Sequence, residues 1–286
     1  HKTPSEERKL PSSNEAIRLE LNYQPPFAWQ HWHDFIEFRK IDGVEEIGQS
    51  SYSRTFTITD TNSKPVQDFF KAVRRPDKHG FNVSIEIDDT QYLYQAVQKI
   101  RQVFDLNANV EVIKTGLIAA GLPTTSIVEG LRVPACWSTF EAGVRAILGQ
   151  QVSVKAAVTL LNQLVSEVGE SKSIGSIERR WFPTPLQLAK ANLNFLKIPD
   201  SRRQTLTRLA NYCVKHPDAD PDTWISIKGI GPWTIEYAKM RGLSDADIWL
   251  DTDLGIKKSL DIYPSIQPEQ ARPWRTYLTF NMWNML

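Results

Sequence analysis

Apolar and polar residues follow two different patterns along this chain. Residues 19–95 hold several stretches in which apolar and polar positions alternate, which is typical of strands with one buried face. Further along, the apolar positions recur three and four apart, most clearly over residues 138–169, as in amphipathic helices. The pattern predicts an α+β protein, with a small N-terminal antiparallel-sheet domain over 19–95 and a larger all-helical region over 96–286. Residues 1–18 are polar and are predicted to form a tail or linker.

The composition excludes several classes of protein. The chain has 286 residues, of which 41% are hydrophobic, so it can bury a core and is neither disordered nor fibrous. The net charge of +1 excludes bulk electrostatic attraction to polyanions, so any contact with nucleic acid has to use local patches. Two cysteines, Cys136 and Cys213, cannot build a disulfide framework and indicate a reducing compartment. No apolar run approaches the roughly 18 residues of a membrane helix.

Two glycines separated by one residue form the most informative local motif. Gly229, Ile230 and Gly231 lie between two helical segments, and Pro232 is a favoured first residue of a helix. Glycine permits a tight hairpin, and the free N–H groups at the following helix N-terminus suit a phosphate oxygen. A bare Gly-x-Gly motif is more often a plain connector between helices.

The wider sequence around this hairpin resembles a known family. Residues 227–237 (IKGIGPWTIEY) followed by Asp253 are similar to the helix–hairpin–helix DNA glycosylase superfamily, and within it to the AlkA-type DNA-3-methyladenine glycosylase II family. Further matches in the same order are residues 21–29 (LNYQPPFAW), 140–150 (FEAGVRAILGQ), 182–185 (FPTP) and 273–277 (PWRTY). The resemblance covers about residues 19–286. It implies that the helical region forms two subdomains with a cleft between them.

Asp253 aligns with the catalytic aspartate of this family. The alternative is that it only caps the helix that follows, a role that Asp favours and that is compatible with catalysis. Cleavage of an N-glycosidic bond builds positive charge on the sugar, which a fixed carboxylate stabilises. Asp251 lies two residues away and is the competing carboxylate.

The resemblance also implies a base pocket formed by Trp233, Tyr237, Trp283 and Phe35. Trp233 and Tyr237 are four residues apart, so they share one face of a helix, although aromatic pairs of this kind often serve core packing alone. Electron-rich rings suit a base made cationic by alkylation. The target nucleotide has to leave the duplex to reach such a pocket.

A lysine distinguishes two mechanisms in this superfamily. Bifunctional members attack the sugar with a lysine, which in some of them follows the hairpin glycines, and the corresponding residue here is Trp233. Lys239, further along the helix, is expected to face solvent. The resemblance therefore implies simple hydrolysis without a Schiff base.

The same resemblance assigns residues that hold the DNA. Gln151 is the candidate wedge that fills the gap left by the flipped nucleotide, against the alternative of a polar residue at a helix boundary. Gly229, Ile230, Gly231 and Thr234 form the phosphate-binding hairpin. Further phosphate contacts are expected from four arginines, which could equally form a solvated face: Arg145, Arg202, Arg203 and Arg208. No metal or other cofactor is expected, apart from the option of a monovalent cation at the hairpin.

The resemblance implies base excision repair of alkylated purines, of the 3-methyladenine and 7-methylguanine type, in damaged double-stranded DNA. Two alternatives stay open: a catalytically inactive module that recognises lesions, and a glycosylase for oxidised bases. We expect a monomer in the bacterial cytoplasm, associated with the nucleoid and with no membrane contact. The polar tail is compatible with a longer chain that carries a regulatory methyl-acceptor module.

Overall fold

The N-terminal part of the chain is an antiparallel sheet. The computed structural model describes residues 16–59 and 65–285, so most of the predicted tail lies outside the described residues. Five strands pair in the order β1-β5-β4-β3-β2. Their bounds are β1 Ile17–Asn22, β2 Glu45–Gly48, β3 Ser51–Thr59, β4 Pro65–Arg75 and β5 Gly80–Glu86. The first helix, α1 (Trp29–Glu37), connects β1 to β2 and supplies one wall of the site described below.

An aromatic core lies under this sheet. Trp32 of α1 stacks on Phe104, with ring centroids 4.7 Å apart, and both are fully buried. The alternating apolar residues of the strands, such as Phe81, Val83 and Ile85, point into the same core. The second helix, α2 (Leu93–Val103), packs Ala96, Ile100 and Val103 into the same core.

The rest of the described chain is helical, as the apolar spacing predicts, except for one short hairpin. The helices are α3 Val110–Ala119, α4 Thr139–Gly149, α5 Val154–Val168, α6 Pro185–Lys190, α7 Asp200–Lys215, α8 Pro232–Ala238, α9 Leu254–Ile262 and α10 Arg275–Trp283. The hairpin pairs β6 (Ser171–Ile174) with β7 (Ile177–Arg180). It forms here because β7 docks on the N-terminal domain, where the Arg180 backbone N–H donates to the Gly43 carbonyl.

Two hydrophobic cores divide the helical region into subdomains. One core is formed mainly by α4 to α8, with Val144, Leu164 and Leu206 fully buried. The other is formed by α3, α9 and α10, with Ile256 and Leu278 at its centre. Among the described residues no helix combines the length and the apolar character needed to span a membrane.

A buried ionic network joins the sheet to the helices. Arg54 of β3 donates to Glu141 of α4 at 2.9 Å, and Arg145 of α4 donates to Glu45 of β2 at 2.9 Å. Arg145 also bonds Glu141 at 3.0 Å, so the four side chains close a circuit of alternating charge. Burial opposes ionisation of Glu141, but the charges of Arg54 and Arg145 outweigh it and hold the pKa of Glu141 below its ordinary value.

Candidate active site

A cleft of about 1170 Å³ opens between the two helical cores. Its walls come from α1, the turn between α4 and α5, the start of α8, the residues before α9 and the end of α10. All four aromatic residues predicted for the base pocket line it, together with the predicted catalytic residue: Phe35, Trp233, Tyr237, Trp283 and Asp253. The structure therefore brings together residues that are up to 248 positions apart in the sequence.

Asp253 is held by four N–H donors. Its Oδ1 accepts from the backbone N–H groups of Gly255 at 2.9 Å and Ile256 at 3.2 Å, and from the Trp283 indole at 3.0 Å. Its Oδ2 accepts from the Trp233 indole at 3.3 Å. Oδ1 is thus saturated, whereas Oδ2 makes one long hydrogen bond beside the cleft. The carboxylate is fixed in orientation and presents one oxygen to a reacting group.

The local sequence explains why Asp253 occupies this place. It is the N-cap of α9, with φ −65° and ψ 134°, and its side chain satisfies two of the free N–H groups of the first turn. The capping role leaves the predicted catalytic role open to the same side chain. Asp251 is exposed and does not line the cleft, so the competing carboxylate is placed away from the pocket.

The aromatic residues of the pocket are already engaged with one another. Trp233 and Tyr237 stack on the same face of α8, with ring centroids 5.3 Å apart and planes 23° from parallel. Trp283 packs on Phe280, which in turn contacts Phe35. The four pocket residues are half-buried, so each presents part of a ring to the cleft.

Two arginines that the sequence analysis missed surround Phe35. The Arg39 guanidinium carbon lies 3.9 Å from the centroid of the Phe35 ring, and that of Arg241 lies 4.8 Å from it. Arg241 is buried and donates to the Tyr237 hydroxyl at 3.0 Å. Two protein cations therefore already lie over the Phe35 ring. Their sequence signal, basic residues four positions from Phe35 and Tyr237, is visible only once the aromatic pocket is known.

Gln151, the predicted wedge, lies at the rim of the cleft. It is exposed and has φ +56°, a left-handed conformation that holds it in the turn between α4 and α5. Its neighbour Gln150 is anchored, since its side-chain amide donates to the Thr234 hydroxyl at 3.2 Å. Gln151 is thus presented to solvent by a turn that is fixed to α8. The role of a wedge stays a prediction.

The hairpin before α8 has the backbone that its glycines predict. Gly229 has φ +99°, and a Cβ there would lie 2.0 Å from the Thr205 hydroxyl of α7. Gly231 is the N-cap of α8, and a Cβ there would meet nothing within 4 Å. Ile230 is buried in the core between them. Thr234, predicted to bind phosphate, is buried and directs its hydroxyl toward Gln150.

Four arginines were predicted to bind phosphate, and for Arg145 this prediction is wrong. It is 10% exposed, and its guanidinium is occupied by Glu45, Glu141 and the Arg39 carbonyl. The guanidinium of Arg203 is turned to the loop before α7, where it donates to two backbone carbonyls. Arg208 donates to the Lys228 carbonyl at 3.2 Å and so braces the hairpin. Arg202 is half-buried on α7, and its phosphate contact stays a prediction.

Lys239 is placed differently from the expectation that it faces solvent. It is half-buried in a short π-helical turn after α8, and its Nζ pairs with Asp222 at 3.0 Å. It does not line the cleft. The ion pair raises the pKa of Lys239, which is the opposite of what a nucleophilic amine requires.

Comparison with known proteins identifies the family. The profile of the AlkA N-terminal domain matches residues 18–138. DNA-3-methyladenine glycosylase 2 of Escherichia coli K12 is 30% identical over 284 residues, an alignment that covers 92% of this chain and 95% of the E. coli protein.

The chain belongs to the DNA-3-methyladenine glycosylase II family.

Other relatives agree with this family. The probable bifunctional transcriptional activator/DNA repair enzyme AlkA of Mycobacterium tuberculosis is 29% identical over 298 residues, covering 95% of this chain and 57% of that protein. A solved structure of a 3-methyladenine DNA glycosylase from Archaeoglobus fulgidus superposes with a TM-score of 0.74 at 16% identity, covering 93% of this chain and 97% of the other. At that identity the superposition shows the shared fold alone. The fold of the glycosylase II family is thus present over nearly the whole chain.

Proposed function

We propose that this chain hydrolyses the N-glycosidic bond of alkylated purines, of the 3-methyladenine and 7-methylguanine type, in damaged double-stranded DNA. Its family membership makes it a DNA glycosylase of base excision repair. The observation that carries the mechanism is the Asp253 carboxylate, held by four N–H donors in an aromatic cleft. The proposal includes flipping of the target nucleotide, because a base stacked inside a duplex cannot reach a carboxylate in the wall of a cleft.

The geometry supports a direct hydrolytic mechanism. As the base departs, positive charge builds on the sugar, and Asp253 Oδ2 is the anionic atom that faces the cleft. An alkylated purine that is already cationic is a good leaving group, so departure places little demand on a general acid. No lysine lines the cleft within the described part of the chain, which favours a monofunctional enzyme.

The hairpin and the wedge are proposed to hold the duplex. The open space at Gly231 and the N-terminal N–H groups of α8 leave room for a backbone phosphate. Gln151 at the rim is positioned to enter the gap beside the flipped nucleotide. In this arrangement the base lies between Trp233, Tyr237 and Trp283.

A monovalent cation at the hairpin is part of the same proposal. The Lys228 carbonyl accepts from Thr205 and Arg208, and the Gly231 carbonyl accepts from the α8 backbone. Among the described residues no donor takes up the carbonyl oxygens of Gly229 and Ile230, so these are the oxygens that fit a hard cation. Replacing K⁺ by tetramethylammonium at constant ionic strength is then expected to weaken duplex binding.

We further propose that the protein acts as a monomer on chromosomal DNA in the bacterial cytoplasm, close to the nucleoid. The M. tuberculosis relative is named as bifunctional, and this chain spans 57% of its length. A regulatory methyl-acceptor module in the same polypeptide is therefore part of the proposal. Light scattering on the purified chain tests the monomer.

Replacement of Asp253 by Asn tests the mechanism. Asn is about as good an N-cap as Asp, so the fold and DNA binding are expected to persist while the charge is lost. Release of 3-methyladenine and 7-methylguanine from methylated duplex should fall by at least about 100-fold in single-turnover assays. The matched control is Asp251→Asn, which removes the exposed neighbouring carboxylate and should stay within about twofold of the parent.

Four outcomes would contradict the proposal. Full activity of Asp253→Asn would exclude the carboxylate mechanism. Covalent trapping of the parent on damaged DNA by borohydride would show a Schiff base and exclude the monofunctional mechanism. Binding of methylated duplex without release of any base would identify a lesion-recognising module, and release of oxidised bases alone would identify the other alternative.

A further inference from the structure

Arg39 is an uncompensated guanidinium in the wall of the base pocket. It follows α1, lines the cleft and is half-buried. Its side chain makes a single long hydrogen bond, from Nη1 to the Phe35 carbonyl at 3.4 Å. Among the described residues no carboxylate lies within ion-pair distance of it, whereas Arg54 and Arg145 each pair with Glu45 and Glu141.

The neighbouring arginines show what a satisfied guanidinium looks like here. Arg145 is bound by Glu45 and Glu141. Arg241 donates to the Tyr237 hydroxyl and to the Pro134 carbonyl. Arg39 lies close to both, and burial together with their charges lowers its pKa to about 10, against the opposing effect of Tyr237. It is therefore still charged at neutral pH.

The stacking of Arg39 on Phe35 fixes where its donors point. A guanidinium over a ring at 3.9 Å uses its face for the ring and leaves the N–H groups along its edge for acceptors. Tyr237, part of the same cleft, accepts from Arg241, so its own hydroxyl proton is also available to an acceptor. This end of the pocket is rich in donors and carries positive charge.

The donor-rich, positively charged end of the pocket is expected to bind different bases with different affinity. A purine made cationic by alkylation is repelled by a nearby guanidinium, whereas a neutral purine with a carbonyl oxygen or a ring nitrogen on that edge accepts its hydrogen bonds. A buried donor left without a partner costs affinity, so the discrimination acts against bases that lack the acceptor.

We infer that Arg39 is a specificity-determining residue that donates to the acceptor edge of a flipped neutral purine. This inference rests on the proposed function and deepens it. Arg39 sets the balance between neutral 6-oxopurines and cationic N-alkylpurines, while Trp233 and Tyr237 serve both by stacking. Phe35 supports Arg39 and is not itself the ring that receives the cationic base.

Single-turnover rates on two duplexes test this role. One duplex carries hypoxanthine, a neutral 6-oxopurine, and the other carries 3-methyladenine, which is cationic and has an amino group in place of the 6-oxo group. Arg39→Leu keeps the apolar stem over Phe35 and removes donors and charge. We expect the rate on hypoxanthine to fall about 10-fold or more, because the acceptor contact is lost. The rate on 3-methyladenine should rise about threefold, because the repulsion is removed. Arg39→Lys keeps the charge without the planar fork and should lower the hypoxanthine rate without raising the other.

A matched control and a binding assay distinguish base recognition by Arg39 from a phosphate contact and from a general loss of activity. Arg18→Leu removes an exposed arginine on β1 and should leave the ratio of the two rates unchanged. In an Asp253→Asn background, Arg39→Leu should weaken binding of the hypoxanthine duplex about 10-fold and leave binding of a tetrahydrofuran abasic duplex unchanged.

Equal loss on both bases, or weaker binding of the abasic duplex, would overturn the inference, the latter because it would assign Arg39 to a phosphate. Failure of the proposed function would look different, because the parent protein would then bind the duplexes and release neither base.

Discussion

Trp283 serves Asp253 through its N–H group as well as through its ring. Trp283→Phe keeps an aromatic wall and removes the donor that lies 3.0 Å from Asp253 Oδ1. A hydrogen bond to a charged group contributes about 1.5–3 kcal/mol, so we expect kcat to fall about 10- to 100-fold. The control is Trp274→Phe, since Trp274 packs on Gly116 of α3, away from the cleft. Equal rates for both variants would show that the indole N–H does not matter.

Asp68, in the sheet, carries a pH-dependent cost to stability. It is 4% exposed, its Oδ2 is buried without a partner, and burial raises its pKa to about 6. Because the folded value lies above the unfolded value of about 3.9, this group stabilises the protein at low pH and loses that contribution as pH rises through 6.

Asp68→Asn abolishes this titration. As the pH rises from 4.5 to 8, the parent loses the contribution of Asp68 and the variant does not. The free energy of unfolding of Asp68→Asn, relative to that of the parent, should therefore increase by up to about 2 kcal/mol over this range. Urea denaturation at several pH values measures it. The exposed Asp218→Asn is the control and should show no such drift. A constant difference for Asp68→Asn across this range would contradict the assigned pKa.

Residues that come from one short segment could be predicted from the sequence, and those that meet across the fold could not. The cap preference of Asp predicts a helix start at Asp253, and its alignment with the family's aspartate distinguishes it from Asp251. Its two indole donors come from 20 and 30 residues away, on different helices. Arg39 was missed for the same reason, since its significance depends on Tyr237 and Arg241, which lie about 200 residues later.

At the scale of elements, the two hairpin glycines have different tasks. Gly229→Ala forces a side chain into a left-handed conformation and against Thr205, so the melting temperature should fall. Gly231→Ala meets only open space and should keep the melting temperature close to that of the parent. Its new methyl group occupies the space proposed for the phosphate, so duplex binding should weaken. Thermal melts together with fluorescence anisotropy separate the two effects, and a stable Gly231→Ala with full affinity would exclude the phosphate site.

The elements themselves show which patterns are informative. The α8 hairpin and the helices α4 and α5 follow from local glycine, proline and apolar spacing. The β6–β7 hairpin does not, because residues 171–174 are exposed and have no buried face to produce an alternating pattern. It is stabilised by contacts with the sheet domain, such as the Trp181 indole N–H donating to the Asp68 carbonyl. Its formation depends on tertiary structure that no window of sequence contains.

At the scale of the whole molecule, the circuit of Glu45, Arg54, Glu141 and Arg145 couples the sheet to the catalytic region. Glu141→Gln would leave two buried guanidinium groups with a single carboxylate between them. Breaking a buried pair of this kind costs about 3–5 kcal/mol, which urea denaturation can detect. The sheet and the helices should still unfold in one transition. The control is Glu129→Gln at the exposed pair with Lys114, which should not change the midpoint measurably.

An unchanged midpoint in Glu141→Gln would contradict this coupling. The network also reaches the pocket, since Arg145 donates to the Arg39 carbonyl at 2.9 Å. The sheet domain thereby takes part in positioning the residue that we propose reads the base. Partners 87 and 100 positions apart give no local signal, so this link between the domains lay beyond sequence reasoning.

The double duty of Asp253 gives a diagnosis for diverged relatives. Asp253 caps the helix that follows it, and on the proposed mechanism the same residue is also selected for chemistry. A relative in which the position has drifted to Asn or Ser would satisfy the first pressure and abandon the second. It would remain a well-folded reader of DNA lesions that no longer cuts. On the proposed mechanism, the residue at the start of this helix would therefore separate sequences with this fold into repair enzymes and proteins that only bind DNA.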